Sequence, residues 1–135
     1  MRRAVLDTNV YVSAVIARRG ISAQVIEQMR TGELEAIVSP WLLSELEIVL
    51  ARKKFRRYFG VEFGERFLEM LRAEATMAPD PAHQAPLRSR DPKDDYLLAL
   101  AFHQKAILVT GDSDLVELSG GAPIITPADL LAAPA

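Results

Sequence analysis

The stretch "AILVTGDSDL", residues 106–115, decides how the rest of the chain is read. Its segment "ILVT" is the most continuous apolar run among the candidate strands, and turn residues follow it at once. A short run of this kind predicts a strand buried on both faces, as in parallel sheets, and its continuity makes it the expected central strand. Two acids, Asp112 and Asp114, stand just beyond it. In open parallel sheets ligands bind outside the carboxyl ends of the strands, so those acids mark the place to look for chemistry.

Working outward, four more segments read as strands: "RRAVL" at 2–6, "LEAIVS" at 34–39, a poorer "ATMAP" at 75–79, and "APIIT" at 122–126. Between them lie helical patterns. "VYVSAVIAR" is ended by Gly20, and "SAQVIEQMRTG" has Ser22 as a cap and Gly32 as its stop. After Ser39 (a good cap) and Pro40 (suited to the first helical position) a helix runs from about Trp41 through the basic "ARKKFRRYF". A further helix covers about Glu62 to Glu74, with Phe63, Phe67, Met70 and Leu71 on one face. "PDPAHQAPLRSRDP" is a loop, and helices follow from about Pro92, around "SDLVEL" and from Pro127. Strands alternating with helices predict an α/β fold whose mostly parallel sheet, of four or five strands, is covered on both faces.

Composition sets the outer limits. A chain of 135 residues, half of them hydrophobic, is a comfortable single domain over 1–135. With no cysteine there is no disulfide, no thiolate metal site and no cysteine nucleophile. "MRRAVLDTNV" carries two arginines, but its apolar run breaks at Asp7. It is read as neither a signal peptide nor a membrane span, and the protein as cytoplasmic. The net charge of −2 is an average. If Asp7, Glu45, Asp94, Asp112 and Asp114 gather in one site, the remaining 13 acids face 16 bases. An acidic pocket in a mildly basic body suits a phosphate-bearing substrate held through cations.

Helical phase selects among the acids. Asp7 directly follows the first strand, as Asp112 follows "ILVT"; the plain alternative for each is turn chemistry. Glu45 lies three residues after Leu42 and four before Val49, on the apolar stripe of its helix, whereas Glu47 lies off it. In "RDPKDDYLLALAFH", residues 90–103, Asp91 precedes the helix as a cap and Lys93 reads as a surface charge. Asp94 stands three, four and seven residues before Leu97, Leu98 and Ala101, so it faces inward at the helix tip. Asp95 is rotated from it by about 100°.

Carboxylates gathered in one pocket cannot all ionise without compensation, because like charges raise one another's pKa. Hard divalent cations are the natural counter-charge, and Mg²⁺ or Mn²⁺ with oxygen ligands suits hydrolysis of a phosphodiester. The two histidines, His83 and His103, lack metal-ligand spacing. "LDTNV" lacks the second aspartate of a phosphatase DxD loop, and there is no phosphate-binding P-loop, so a small phosphohydrolase is the weaker enzyme reading. A non-catalytic module binding RNA or a partner is the reading from another class.

"VLDTNV", the glutamate of "PWLLSEL", "RDPKDDYLLALA" and "LVTGDSDL" together resemble the successive signatures of the PIN domain, in order and from Val5 to about Thr126. The likeness is to the bacterial and archaeal toxins related to VapC. It implies a three-layer α/β/α sandwich and an Mg²⁺- or Mn²⁺-dependent endoribonuclease, with RNA as substrate, a cognate antitoxin protein as partner, and a homodimer. It carries the acidic site onto Asp7, Glu45, Asp94 and Asp112, with Asp114 nearby. Thr8, Asn9 and Thr110 match supporting polar positions, and Asp95 is a flanking acid. A cysteine frequent before "RDP" in this subgroup is here Ser89, which touches no expected ligand. Arg52, Lys53, Lys54, Arg56 and Arg57, interleaved with Phe55, Tyr58 and Phe59, read as a phosphate-tracking surface with base stacking, or else as a solvated helix end.

Overall fold

The computed structural model describes residues 2–85, 89, 91–116 and 123–133, apart from the side chains of Ser113 and Asp114. Five parallel strands form one sheet: β1 (Arg2–Leu6), β2 (Leu34–Val38), β3 (Thr76–Met77), β4 (Ile107–Val109) and β5 (Ile124–Ile125), in the order β3-β2-β1-β4-β5. Every expected strand is present. The central one, however, is β1 and not the "ILVT" strand. β1 is the longer segment and pairs on both sides, Arg2–Ala4 with Leu34–Ala36 and Ala4–Leu6 with Ile107–Val109. β4 is interior all the same, between β1 and β5.

Seven α-helices are described: α1 (Thr8–Ile16), α2 (Ile21–Arg30), α3 (Pro40–Leu50), α4 (Val61–Glu74), α5 (Pro92–His103), α6 (Ser113–Val116) and α7 (Pro127–Ala132). The strand order reverses between β1 and β4. Right-handed crossovers therefore put α5 on the opposite face of the sheet from the helices that join β1 to β2 and β2 to β3. The result is the expected three-layer sandwich. Its core contains Val5, Leu6, Ile37 and Leu108 from the sheet, Tyr11, Leu46 and Leu71 from the helices of one face, and Leu97 and Leu100 from α5.

Local chemistry explains most helix ends, with three departures from expectation. Gly20, and not Ser22, is the N-cap of α2, and α1 already ends at Ile16. Gly32 closes α2 as expected, at φ 85°, with Gly32 N–H donating to the Met29 carbonyl and Glu33 N–H to that of Gln28. The helix after Ser39 stops at Leu50 and does not continue through "ARKKFRRYF". A 3₁₀ turn at Lys53–Phe55 replaces it, which buries Phe55 and Phe59 and brings the Arg56 guanidinium back to donate to the Leu50 carbonyl at the helix end. A straight helix would stack five bases within two turns of one another, and like charges at that spacing repel.

Ser39 fixes the other end of α3. Fully buried, its Oγ accepts from Leu42 N–H and shares a short hydrogen bond with Tyr96 Oη of α5. Tyr96 Oη also donates to Asp80 Oδ1 at 2.5 Å, and Asp80 accepts from Trp41 N–H at 3.0 Å. Burial opposes ionisation of Asp80, but the hydrogen bonds from Tyr96, Trp41 and Ser39 outweigh it and hold the carboxyl below its usual value. This network ties α3, α5 and the loop after β3 together beside the strand ends. Ser39→Ala removes a cap and leaves Tyr96 one partner short. It is expected to lower stability by about 1–2 kcal/mol, read as a reduced urea midpoint at unchanged m.

Candidate active site

The reversal of strand order makes the gap beyond β1 and β4 the topological switch point of the sheet, and Asp7 and Asp112 follow those two strands. Asp7 is buried, 3% exposed. One of its oxygens accepts from Asn9 N–H at 3.1 Å, capping α1. The other accepts from Thr110 Oγ1 at 2.8 Å. That same hydroxyl accepts from Asp112 N–H at 3.0 Å. Thr110, fully buried at the end of β4, therefore clamps the Asp7 carboxylate and the Asp112 backbone to each other.

Asp94 comes to this place from the far side. Asp91 caps α5 by accepting from Lys93 N–H at 2.9 Å, with Pro92 in the first turn, so the helix start is as the sequence predicts. Asp94 is 8% exposed and points inward. Burial, then the negative charges of Asp91, Asp112 and Asp7, push its carboxyl up from 3.8 to about 6, while the Lys93 ammonium pulls part of the way back. Asp94 is thus close enough to Asp7 and Asp112 to feel the charge of both. Asp95 is half-buried and turned elsewhere, accepting from Ser89 N–H at 2.5 Å.

Glu45 differs from its expected setting. It lies at the flank of the α3 stripe, not within it, with its side chain 25% exposed. Its Oε1 stands 3.6 Å from Lys93 Nζ. Lys93, read from sequence as a surface charge, is instead a cation reaching into the acidic region from the residue before Asp94. Helical phase placed the acids but says nothing of a long flexible side chain's reach. The Ser39–Tyr96–Asp80 network was equally silent in sequence, its members lying 16 and 57 residues apart.

Among the supporting residues, Thr8 is fully buried and its Oγ1 has no hydrogen-bond partner among the described residues. The Asn9 side chain is exposed. The Asp114 side chain lies outside the described residues, as does the "EL" of "SDLVEL". The basic segment sits at the other end of α3, about 16 Å of helix away from Ser39. Arg52, Lys53, Lys54 and Arg57 are exposed, but Arg56 is half-buried and of the three aromatics only Tyr58 is exposed. Phe55 and Phe59 belong to the core and cannot stack on bases.

Among the described residues no three carboxylates or imidazoles stand, as they are, around a point that would hold an ion. The donor chemistry nonetheless fits a hard divalent cation. Asp7, Asp94 and Asp112 offer carboxylate oxygens only, the buried Thr8 hydroxyl is unsatisfied among the described residues, and burial together with neighbouring negative charge holds Asp94 back from ionising.

This fold and this arrangement of acids at the switch point define a class: the chain belongs to the PIN domain family, whose model matches residues 3–114. A relative in Methanocaldococcus jannaschii, the uncharacterized protein MJ1680, is 31% identical over 120 residues, which is 86% of this chain and 74% of that protein. The fold is similar to that of VapBC2 from Rickettsia felis, solved bound to a DNA fragment from its promoter, at TM-score 0.61 and 14% identity, covering 92% of this chain and 96% of that one. It is similar likewise to PAE2754 from Pyrobaculum aerophilum (TM-score 0.62, 17% identity, 97% and 88% covered). VapBC-1 from nontypeable Haemophilus influenzae gives TM-score 0.60 at 16% identity, with 93% and 98% covered. No helix among the described residues is long and apolar enough to cross a membrane.

Proposed function

We propose that the protein is a metal-dependent endoribonuclease, hydrolysing RNA phosphodiester bonds with Mg²⁺ or Mn²⁺ held by Asp7, Glu45, Asp94 and Asp112, with Asp114 beside them. The observation that carries this reading is the meeting of Asp7, Asp94 and Asp112 at the switch point, where burial first, and then the charges of Asp91, Asp112 and Asp7, raise the Asp94 carboxyl to about 6. Buried like charges serve no purpose in a core and are costly there. A bound cation would supply the positive charge that lets them ionise together, and would acidify a water for attack at phosphorus. The chain's own residues do the rest. Thr110 orients Asp7 and the Asp112 backbone, Asp91 fixes the start of α5, and the Ser39–Tyr96–Asp80 network holds α3 and α5 in register. Arg52, Lys53, Lys54 and Arg57 offer a remote phosphate contact. Membership in the PIN family and the likeness to VapBC structures support a role as the toxin of a toxin–antitoxin pair, bound by a cognate antitoxin and acting as a homodimer in the cytoplasm.

Millimolar Mn²⁺ is expected to raise the melting temperature by several degrees and to support cleavage of an RNA oligonucleotide, with EDTA removing both effects. Turnover of mononucleotides but not of oligonucleotides would point to a phosphohydrolase. A second reading, a non-catalytic RNA- or partner-binding module, is favoured by the fact that the described acids do not enclose an ion as they stand. RNA bound without cleavage at millimolar Mn²⁺ would establish it.

A further inference from the structure

The ion pair between Lys93 and Glu45 joins two helices beside the candidate site. Its members lie on α5 and α3, at 3.6 Å, with side chains 33% and 25% exposed. A partly exposed pair at this separation contributes little to stability. Yet its position is defined: Asp91 anchors the Lys93 backbone N–H at 2.9 Å, and the next residue is the inward-facing Asp94. We propose that Lys93 is the resident counter-ion of the carboxylate site: it holds Glu45 while no cation is bound, yields it to an incoming divalent cation, and is thereby freed to contact the phosphate of the RNA. The inference rests on the metal-dependent reading above. A lysine suits both tasks, because its ammonium is a compact charge with three donors on a flexible stem. It can swing from a carboxylate to a phosphate oxygen without moving the helix, and no competing fork of hydrogen bonds has to be broken, as an arginine would require. Glu45 at the flank of its stripe, not in the core, is what makes the exchange possible.

The test is a double-mutant cycle on Mn²⁺ affinity, measured by titration calorimetry for the wild type, Lys93→Gln, Glu45→Gln and the double variant. Both residues are partly exposed, so neither change opens the core. Lys93→Gln is expected to tighten Mn²⁺ binding about two- to fivefold when Glu45 is present, and not at all in the Glu45→Gln background. The same variant is expected to cleave an RNA oligonucleotide about tenfold more slowly at saturating Mn²⁺, despite its tighter metal. Equal tightening in both backgrounds would mean a diffuse charge effect and overturn the exchange; an unchanged cleavage rate would overturn the phosphate contact. If the wild type neither binds Mn²⁺ nor cleaves RNA, the underlying nuclease reading falls instead.

Discussion

Asp94→Asn is expected to lower kcat/KM for RNA cleavage by on the order of 10²–10³-fold while making the metal-free protein more stable at neutral pH. The two effects have one cause. In the folded chain burial and the charges of Asp91, Asp112 and Asp7 hold the Asp94 carboxyl at about 6, against 3.8 when free. The folded state therefore binds the extra proton between those values. Its contribution favours folding fully below about pH 4 and is lost as the pH rises through 6. Asparagine is neutral at every pH and escapes that loss, a gain of about 1–3 kcal/mol at pH 7 to 8. Urea unfolding of the metal-free protein at pH 4.0 and 7.5 reads the difference: the wild type should lose more stability over this interval than the variant. The same substitution removes a charge that the cation needs, so the Mn²⁺-induced rise in melting temperature should shrink sharply. Cleavage at the wild-type rate by Asp94→Asn would remove the residue from the site.

Asp7→Ala is expected to abolish cleavage to a similar degree, with the opposite effect on stability. Asp7 caps α1 through Asn9 N–H and accepts the Thr110 hydroxyl, both inside the protein. Alanine loses the cap and leaves a buried hydroxyl without its acceptor, together costing about 2–3 kcal/mol. Denaturant unfolding of the metal-free variant measures this directly. Two aspartates that meet in one place should thus move stability in opposite directions, because one is satisfied by hydrogen bonds and the other is buried among like charges. A stabilised Asp7→Ala protein would contradict this account of the site.

Much of this was legible in the residues. Alternating apolar runs and helical stripes predict all five strands and the layering, phase places Asp94 inward, and the position just before Pro92 marks Asp91 as the cap. Which strand is central is not legible in the sequence, because continuity of an apolar run reports burial on two faces, which interior strands share, and not rank within the sheet. The helix after Ser39 was drawn too long because local pattern carries no penalty for stacking Arg52, Lys53, Lys54, Arg56 and Arg57 together, nor for leaving Phe55 and Phe59 outside the core. The pairing of Glu45 with Lys93 is not legible in the sequence because it depends on two helices converging beyond the strand ends, a fact of tertiary packing.

The clamp between Thr110 and Asp7 spans 103 residues of chain. A contact of such sequence separation closes late, since the entropy of a long loop has to be overcome before the contact contributes anything. During synthesis β1 waits, with its neighbour β4 still inside the ribosome, and Asp7 has no Thr110 to hold it. An incomplete chain has the first acid but not the Thr110 hydroxyl that orients it, so the geometry around Asp7 is completed only when β4 has emerged.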